Sequence, residues 1–480
     1  MSNQPLDGAR LIPLLITLSI GVALWVMPVP EGLRVEAWHL FAIFLSTILG
    51  IILKVMPMGA VAFIGIATVA LTGVLDPTSS QKAVKLALSG FSNHVIWLIV
   101  FAFFIARGFI KTGLGSRIAY LLIKVLGKKT LGLSYGLLGA DLLLAPAIPS
   151  TTARGGGIIY PILRSLAESY HSRPDGKTER KIGAFLVLSA FHGNIITSAM
   201  FMTAMAANPL AVKLAGEMGL RITWASWAIA ALVPGIIALI FIPLFIYTIY
   251  PPQIKETPNA AFKAHEKLLE MGRIRLEEWI MLIAFTLLLV LWIYGPHLGI
   301  NSTAAAMVGL SVLLISGVLS WEDIKSEKEA WDTLSWFAAL VMMATFLNSM
   351  GFIDWFTFNV KVMIGEIPWT TAFPLLLILY VYVHYFFASS TAQVAAMYGA
   401  FLSLGIALGV PGMLMALSLG FASSFYACMT HYGTGPAPVF FGSGYVDIKS
   451  WWTIGFFISI LHFIIWVGIG GLWWKILGIY

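Results

Sequence analysis

Runs of roughly twenty apolar residues recur from one end of this chain to the other, and that recurrence leaves few folds open. Each run is long enough to cross a hydrocarbon layer as a helix, and none shows the two-residue alternation of a membrane barrel strand. Of the 480 residues, 59% are hydrophobic and only 11% charged, with a mean hydropathy of +0.89. Soluble domains carry about 25% charged residues. A chain this apolar has lipid as its main solvent, which predicts an all-α polytopic membrane protein forming a single membrane domain.

The runs place spans at 11–29, 37–54, 57–75, 91–110, 182–206, 224–250, 278–296, 302–320, 333–351, 413–432 and 450–474, eleven in all. The first is a span rather than a signal peptide, because no small-x-small cleavage site follows it. Two further apolar segments, 131–165 and 370–408, carry a polar knot at the centre: "PSTTARGGG" at 149–157 and "SSTAQ" at 389–393. They read as helical hairpins that enter and leave on the same side. With the N-terminus cytoplasmic and no crossing assigned to either hairpin, 21 of the 29 basic residues fall inside and 7 outside, Arg154 at a hairpin tip being the last. This bias fits the positive-inside rule and puts the C-terminus outside. It also accounts for the net charge of +7 without nucleic acid. A bacterial inner membrane is the expected location.

The chain repeats itself. Thr72-Gly73-Val74-Leu75 matches Ser316-Gly317-Val318-Leu319, and Gly108-Phe109 matches Gly351-Phe352. Ser150-Thr151-Thr152-Ala153 matches Ser389-Ser390-Thr391-Ala392, and a span broken by "TAMAANP" at 203–209 matches one broken by "TGPAP" at 434–438. The expected organisation is a first helix within 1–34, a repeat over 35–250 with hairpin 131–165, a cytoplasmic linker with an interfacial helix at 251–277, and a repeat over 278–480 with hairpin 370–408. Five crossings per repeat, an odd number, invert the second relative to the first. Inverted repeats with paired interrupted helices are how secondary transporters build a midplane substrate site.

The hairpin tips suit an anion. Pro149 is expected to end the first hairpin helix, and a new half-helix starts at Ser150 with free N–H groups and the positive end of a dipole. Candidate binding residues are Ser150, Thr151 and Thr152 at one tip, Ser389, Ser390 and Thr391 at the other, and Thr203, Thr434, Gly435 and Pro436 in the broken spans. A lone hydroxyl cluster ordinarily packs helices or caps one. Two symmetric tips, each beside a broken span, point instead to a ligand with an anionic group at each end, a di- or tricarboxylate. Arg154 and His431 are candidate charge surrogates near the tips, Arg154 being equally readable as a structural brace. Asp141 reads as structural, near the cytoplasmic rim, and His192 and His384 as weaker candidates. The single cysteine, Cys428, reads as a small apolar helix residue, and no Cys/His cluster has metal-site spacing, so neither metal nor cofactor is expected.

"LAPAIPSTTARGGGIIYPI" at 144–162, "FASSTAQ" at 387–393 and "HYGTGPAPVFFGSGY" at 431–445 resemble the divalent anion/sodium symporter family. That group contains bacterial dicarboxylate carriers and citrate/succinate or tartrate/succinate exchangers, and the resemblance covers roughly 35–475. It implies a homodimer in which an elevator-like transport domain carries the hairpins past a scaffold. Family tips usually read Ser-Asn-Thr, and in sodium-coupled members they contact both substrate and Na⁺. Asn is missing from both tips here. A hydroxyl has less reach than an amide carbonyl and is also a donor, so sodium-independent exchange of an external carboxylate for an internal dicarboxylate is expected, with Na⁺ symport as the alternative. A channel, a cation/proton antiporter and an intramembrane enzyme using Asp141 with His192 or His431 are remoter readings without a supporting motif.

Overall fold

The computed structural model of the chain describes residues 8–174, 176–365 and 367–480, and over these the fold is helical. Its only β pairing there is an isolated bridge between Lys129 and Glu256. The first residues of the 1–34 segment, and with them the N-terminus expected on the cytoplasmic side, lie outside the described residues.

The eleven expected spans are all helices. They run Leu11–Val26, Val35–Ile52, Met58–Thr72, His94–Thr112, Gly183–Met200, Trp224–Ile249, Leu276–Tyr294, Ser302–Ile315, Lys328–Ser349, Gly412–Phe425 and Ile448–His462, the last continuing to Ile476 through a π-helical stretch. Both polar-knotted segments are helix–break–helix hairpins. The inbound arms are Thr130–Leu144 and Trp369–Tyr382, and each packs on its own outbound half.

Three differences from the sequence reading have clear causes. The first hairpin helix ends at Leu144, not at Pro149, because Pro146 already lacks the N–H the ladder needs and its ring crowds the preceding turn. The expected span 182–206 stops at Met200; after a 3₁₀ turn at Met202–Ala204 a further helix runs Ala207–Glu217. Two amphipathic helices, Leu114–Leu126 and Phe352–Ile364, occupy what reads as polar loop. Each follows a glycine in the left-handed region, Gly113 at φ 76° and Gly351 at φ 81°, where a Cβ would be strained.

The linker is fixed rather than free. Its interfacial helix Pro258–Glu270 packs on Leu114–Leu126. Arg117 Nε meets Glu278 Oε2 at 2.9 Å with both side chains buried, and Arg117 Nη1 donates to the Gly272 carbonyl at 3.0 Å. Thr130 N donates to the Lys255 carbonyl at 2.9 Å.

The repeat is visible in element order. Each hairpin tip opens with a serine N-cap, one helical turn and a five-residue π-helix, at Gly155–Ile159 and Val394–Tyr398. Each hairpin is followed by a helix that breaks, Gly183–Met200 and Gly412–Phe425, and these two pack against each other. Every residue of the first and all of Leu414–Phe425 are buried. The core of the molecule therefore lies along the two broken helices, with the hairpins on their flanks.

Candidate functional site

At the first tip, Ser150 caps its half-helix by accepting from Ala153 N at 3.0 Å. At the second, Ser389 accepts from Ala392 N at 3.3 Å. Capping leaves each serine O–H to donate elsewhere. Thr151, Thr152 and Thr391 are half-buried, and no hydrogen bond engages their hydroxyls among the described residues. These three, with the buried but unbonded hydroxyl of Thr434, are available to a ligand.

The other named residues are committed to the protein. Thr203 donates to the Pro146 carbonyl at 2.7 Å and accepts from Trp224 Nε1 at 3.1 Å, tying the first broken helix to the first hairpin. Ser390 Oγ donates to the Gly433 carbonyl at 3.4 Å, and its own carbonyl accepts from Tyr426 Oη at 3.0 Å. Pro436 is buried and starts the short helix Ala437–Gly442.

Gly435 is exposed, and it joins the two repeats. A Cβ on it would lie 2.2 Å from Thr152 Oγ1 and 3.9 Å from Thr151 Oγ1. The first tip thus faces the break of the second span, closely enough that a side chain at 435 would displace the Thr152 hydroxyl. Gly433 is similarly confined: a Cβ there would lie 2.4 Å from His384 Nε2 and 2.7 Å from Thr430 Oγ1.

Arg154 is fully buried and uses every donor it has. Nε donates to Asp141 Oδ1 at 3.0 Å, Nη1 to the carbonyls of Ile148 at 2.7 Å and Ala204 at 3.0 Å, and Nη2 to Ser198 Oγ at 2.6 Å and Thr197 Oγ1 at 3.5 Å. Asp141 is buried too, and it also accepts from Asn194 Nδ2 at 3.1 Å and from the Thr197 hydroxyl. His431 accepts from Trp452 Nε1 at its Nδ1, 3.1 Å away. The expectation that Arg154 stands in for a bound cation does not fit this geometry, because its charge is balanced by Asp141; the His431 ring is engaged by Trp452.

His384 lies under the second tip. Its Nδ1 meets Gln393 Oε1 at 2.6 Å, its ring stacks on Tyr426 at 4.0 Å, and Gln393 Nε2 donates to the Tyr380 carbonyl at 2.6 Å. Because that amide nitrogen donates, its oxygen accepts from His384 Nδ1–H. His192 packs edge-on against Phe191 at 5.1 Å, and among the described residues no hydrogen bond or ion pair joins it to Asp141. Cys428 is a buried free thiol. Among the described residues, no group of His, Cys, Asp and Glu is arranged to hold a metal ion.

Two broken helices packed together, with a capped hairpin on the flank of each, are an arrangement found in multi-pass membrane carriers. Residues 8–480 match the family described as the sodium:sulfate symporter transmembrane region, and the chain belongs to that family of membrane transporters. It is 57% identical over 475 residues to the putative malate transporter YflS of Bacillus subtilis, covering 99% of this chain and 98% of that one. It is 49% identical to the chloroplastic dicarboxylate transporter 1 of Spinacia oleracea, covering 99% and 83%. It is 40% identical to the inner membrane protein YbhI of Escherichia coli, covering 97% of each. The crystal structure of the Alcanivorax borkumensis YdaH transporter, whose topology is described as unusual, superimposes with a TM-score of 0.58 at 13% identity over 98% of this chain and 97% of that one. That likeness is one of fold.

Proposed function

We propose that this protein exchanges dicarboxylates, malate-like C4 acids first among them, across a bacterial inner membrane without sodium, tricarboxylates being the wider class to test. The observation that carries the reading is the pair of serine-capped tips with free hydroxyls at Thr151, Thr152 and Thr391, beside the exposed Gly435 and the hydroxyl of Thr434. Each tip offers backbone N–H groups and the positive end of a helix dipole to one carboxylate, and the threonines donate to its oxygens. Relatives named as malate and dicarboxylate transporters support the substrate class.

In this reading the hairpins and broken helices move as one unit past a scaffold, in a homodimer with the N-terminus cytoplasmic and the C-terminus outside. Polar ties from Ala207–Glu217 to Lys328–Ser349 are few and long, Thr345 Oγ1 to Glu217 Oε1 at 3.3 Å and Asn348 Nδ2 to the Glu217 carbonyl at 3.4 Å. An apolar cavity of about 180 Å³ lies beside them. An interface built this way slides at low cost. Movement without substrate would bring the unfilled N–H groups of both tips into an apolar environment, a cost that couples transport to exchange.

Proteoliposomes loaded with malate or succinate should accumulate external dicarboxylate in the absence of Na⁺. Uptake that strictly follows a Na⁺ gradient would favour the second reading, sodium symport, which the family description brings with it. Absence of trans-stimulation would favour a channel.

A further inference from the structure

A cavity of about 560 Å³ lies over the second hairpin tip, lined by Arg10, Lys54, Pro57, Ala388, Ser389 and Ala392. Both basic side chains are exposed, and neither has a carboxylate within ion-pair distance among the described residues. Their placement is fixed by the backbone. Lys54 holds φ 53°, in the left-handed region, at the end of Val35–Ile52. Val55 N bonds the Gly50 carbonyl at 3.0 Å, and Arg10 N bonds the Val55 carbonyl at 3.0 Å. The turn therefore holds the start of the first helix and the end of the second together, with a cation on each, at the mouth of a space that ends on Ser389.

We propose that this cavity is an anion antechamber: Arg10 and Lys54 draw a carboxylate anion to the second tip from one face of the membrane. Two cations with no ion-pair partner among the described residues, beside low-dielectric walls, focus field into a cleft and raise the encounter rate of an oppositely charged ligand. The same charges leave the final site untouched, because the residues at the tips are hydroxyls and backbone. Capture is therefore asymmetric, since Arg10 and Lys54 serve the one mouth they line. The part played in transport rests on the exchange reading above; the field itself does not.

The test has two arms. In Arg10→Gln/Lys54→Asn, asparagine is chosen because it tolerates the left-handed backbone at 54. Proteoliposomes are sorted by an impermeant label on Lys263→Cys, the native Cys428 being buried. The KM for malate from the face bearing Arg10 and Lys54 should rise about tenfold at low salt, with the gap closing at high salt, and the KM from the other face should stay put. The second arm needs no transport. In Pro57→Cys, an anionic thiol reagent should react faster than a cationic one, and that lead should vanish when the double charge substitution is added. Equal reaction rates for the two reagents, or a KM change alike on both faces and indifferent to salt, would overturn the antechamber. Wild-type protein that exchanges no dicarboxylate while keeping the reagent bias would instead overturn the exchange reading alone. Arg10→Lys/Lys54→Arg should behave as wild type in both arms, and its failure to do so would assign the effect to packing.

Discussion

Arg154 and Gln393 hold the same position in the two repeats, 239 residues apart, each the last residue of the single helical turn after its serine cap. Both reach back to the same point of the inbound arm. Arg154 Nε bonds Asp141 at 3.0 Å, and Gln393 Nε2 bonds the carbonyl of Tyr380, the residue 239 after Asp141, at 2.6 Å. One tip is held by a buried ion pair and the other by a neutral amide. The two tips therefore share a geometry while differing in what holds them.

Breaking the ion pair leaves a buried carboxylate uncompensated. Arg154→Gln should lower the stability of the detergent-solubilised protein by about 3–5 kcal/mol, read as a loss in thermal melting temperature. Adding Asp141→Asn should recover part of that loss, because the amide no longer needs a cation. Arg154→Lys should not rescue, since an ammonium on a flexible stem cannot serve five acceptors in one plane. A melting temperature unchanged in Arg154→Gln would refute the bracing role.

The hydroxyls sort into two classes with opposite expectations. Thr152→Ala and Thr391→Ala remove donors that no protein group uses, so each should weaken malate affinity by about tenfold or more with an unchanged melting temperature. Thr203→Ala removes the bonds to Pro146 and Trp224, so it should lower the melting temperature by the worth of about one or two buried hydrogen bonds. Uptake KM and thermal melting, measured on the same preparations, separate the two. Affinity unchanged in both tip variants would remove the tips from the site.

Much of this was legible beforehand, for definite reasons. Apolar runs of span length permit little else in lipid, and Ser150 and Ser389 announce helix starts by residue type alone. Leu114–Leu126 and Phe352–Ile364 escaped because amphipathic helices carry charges on one face and look like loop when scanned for apolar runs. The partners of the Arg154–Asp141 pair escaped because Asn194, which bonds Asp141, and Thr197 and Ser198, which bond Arg154, lie on another element, more than thirty residues on, and only packing brings them in. One signal was available: the 239-residue offset already noted at the tips pairs Arg154 with Gln393 and Asp141 with Tyr380, which marks those four as equivalent supports. The commitment of Thr203 had no such signal, because Trp224 and Pro146 are unremarkable in a membrane chain.

Acid should reveal the ion pair outside the membrane core. Burial works against ionisation of Asp323, but the Lys111 ammonium at 2.6 Å and hydrogen bonds from Ser320 outweigh it and draw the carboxyl down to about 2. A depressed carboxylate stabilises the fold above its unfolded pKa, about 3.9, and loses that contribution as pH falls through 4 toward 2. Lys111 is 41% exposed, so solvent screening holds the effect to about 1 kcal/mol or less. Asp323→Asn should melt slightly lower than wild type at pH 6 and converge with it near pH 2. A difference that persists at pH 2 would assign the loss to packing.

Gly435 gives the sharpest test of how the repeats meet. A Cβ there lies 2.2 Å from Thr152 Oγ1, closer than two atoms pack, so in Gly435→Ala either the Thr152 hydroxyl must rotate out of place or the first tip and the second broken span must move apart. The proposed substrate site lies between them. Uptake should therefore fall by tenfold or more while the melting temperature changes little, because Gly435 is exposed and buries no side chain. The companion variant decides the cause. Thr152→Ser keeps the donor but frees the oxygen to rotate away from the new methyl group, so Gly435→Ala/Thr152→Ser should recover uptake that Gly435→Ala lacks. Gly435→Ala/Thr152→Ala should recover the packing without the donor and remain weak in affinity. If Gly435→Ala alone transports like wild type, the first tip and the second break do not meet during the cycle, and the two-tip site is refuted with them.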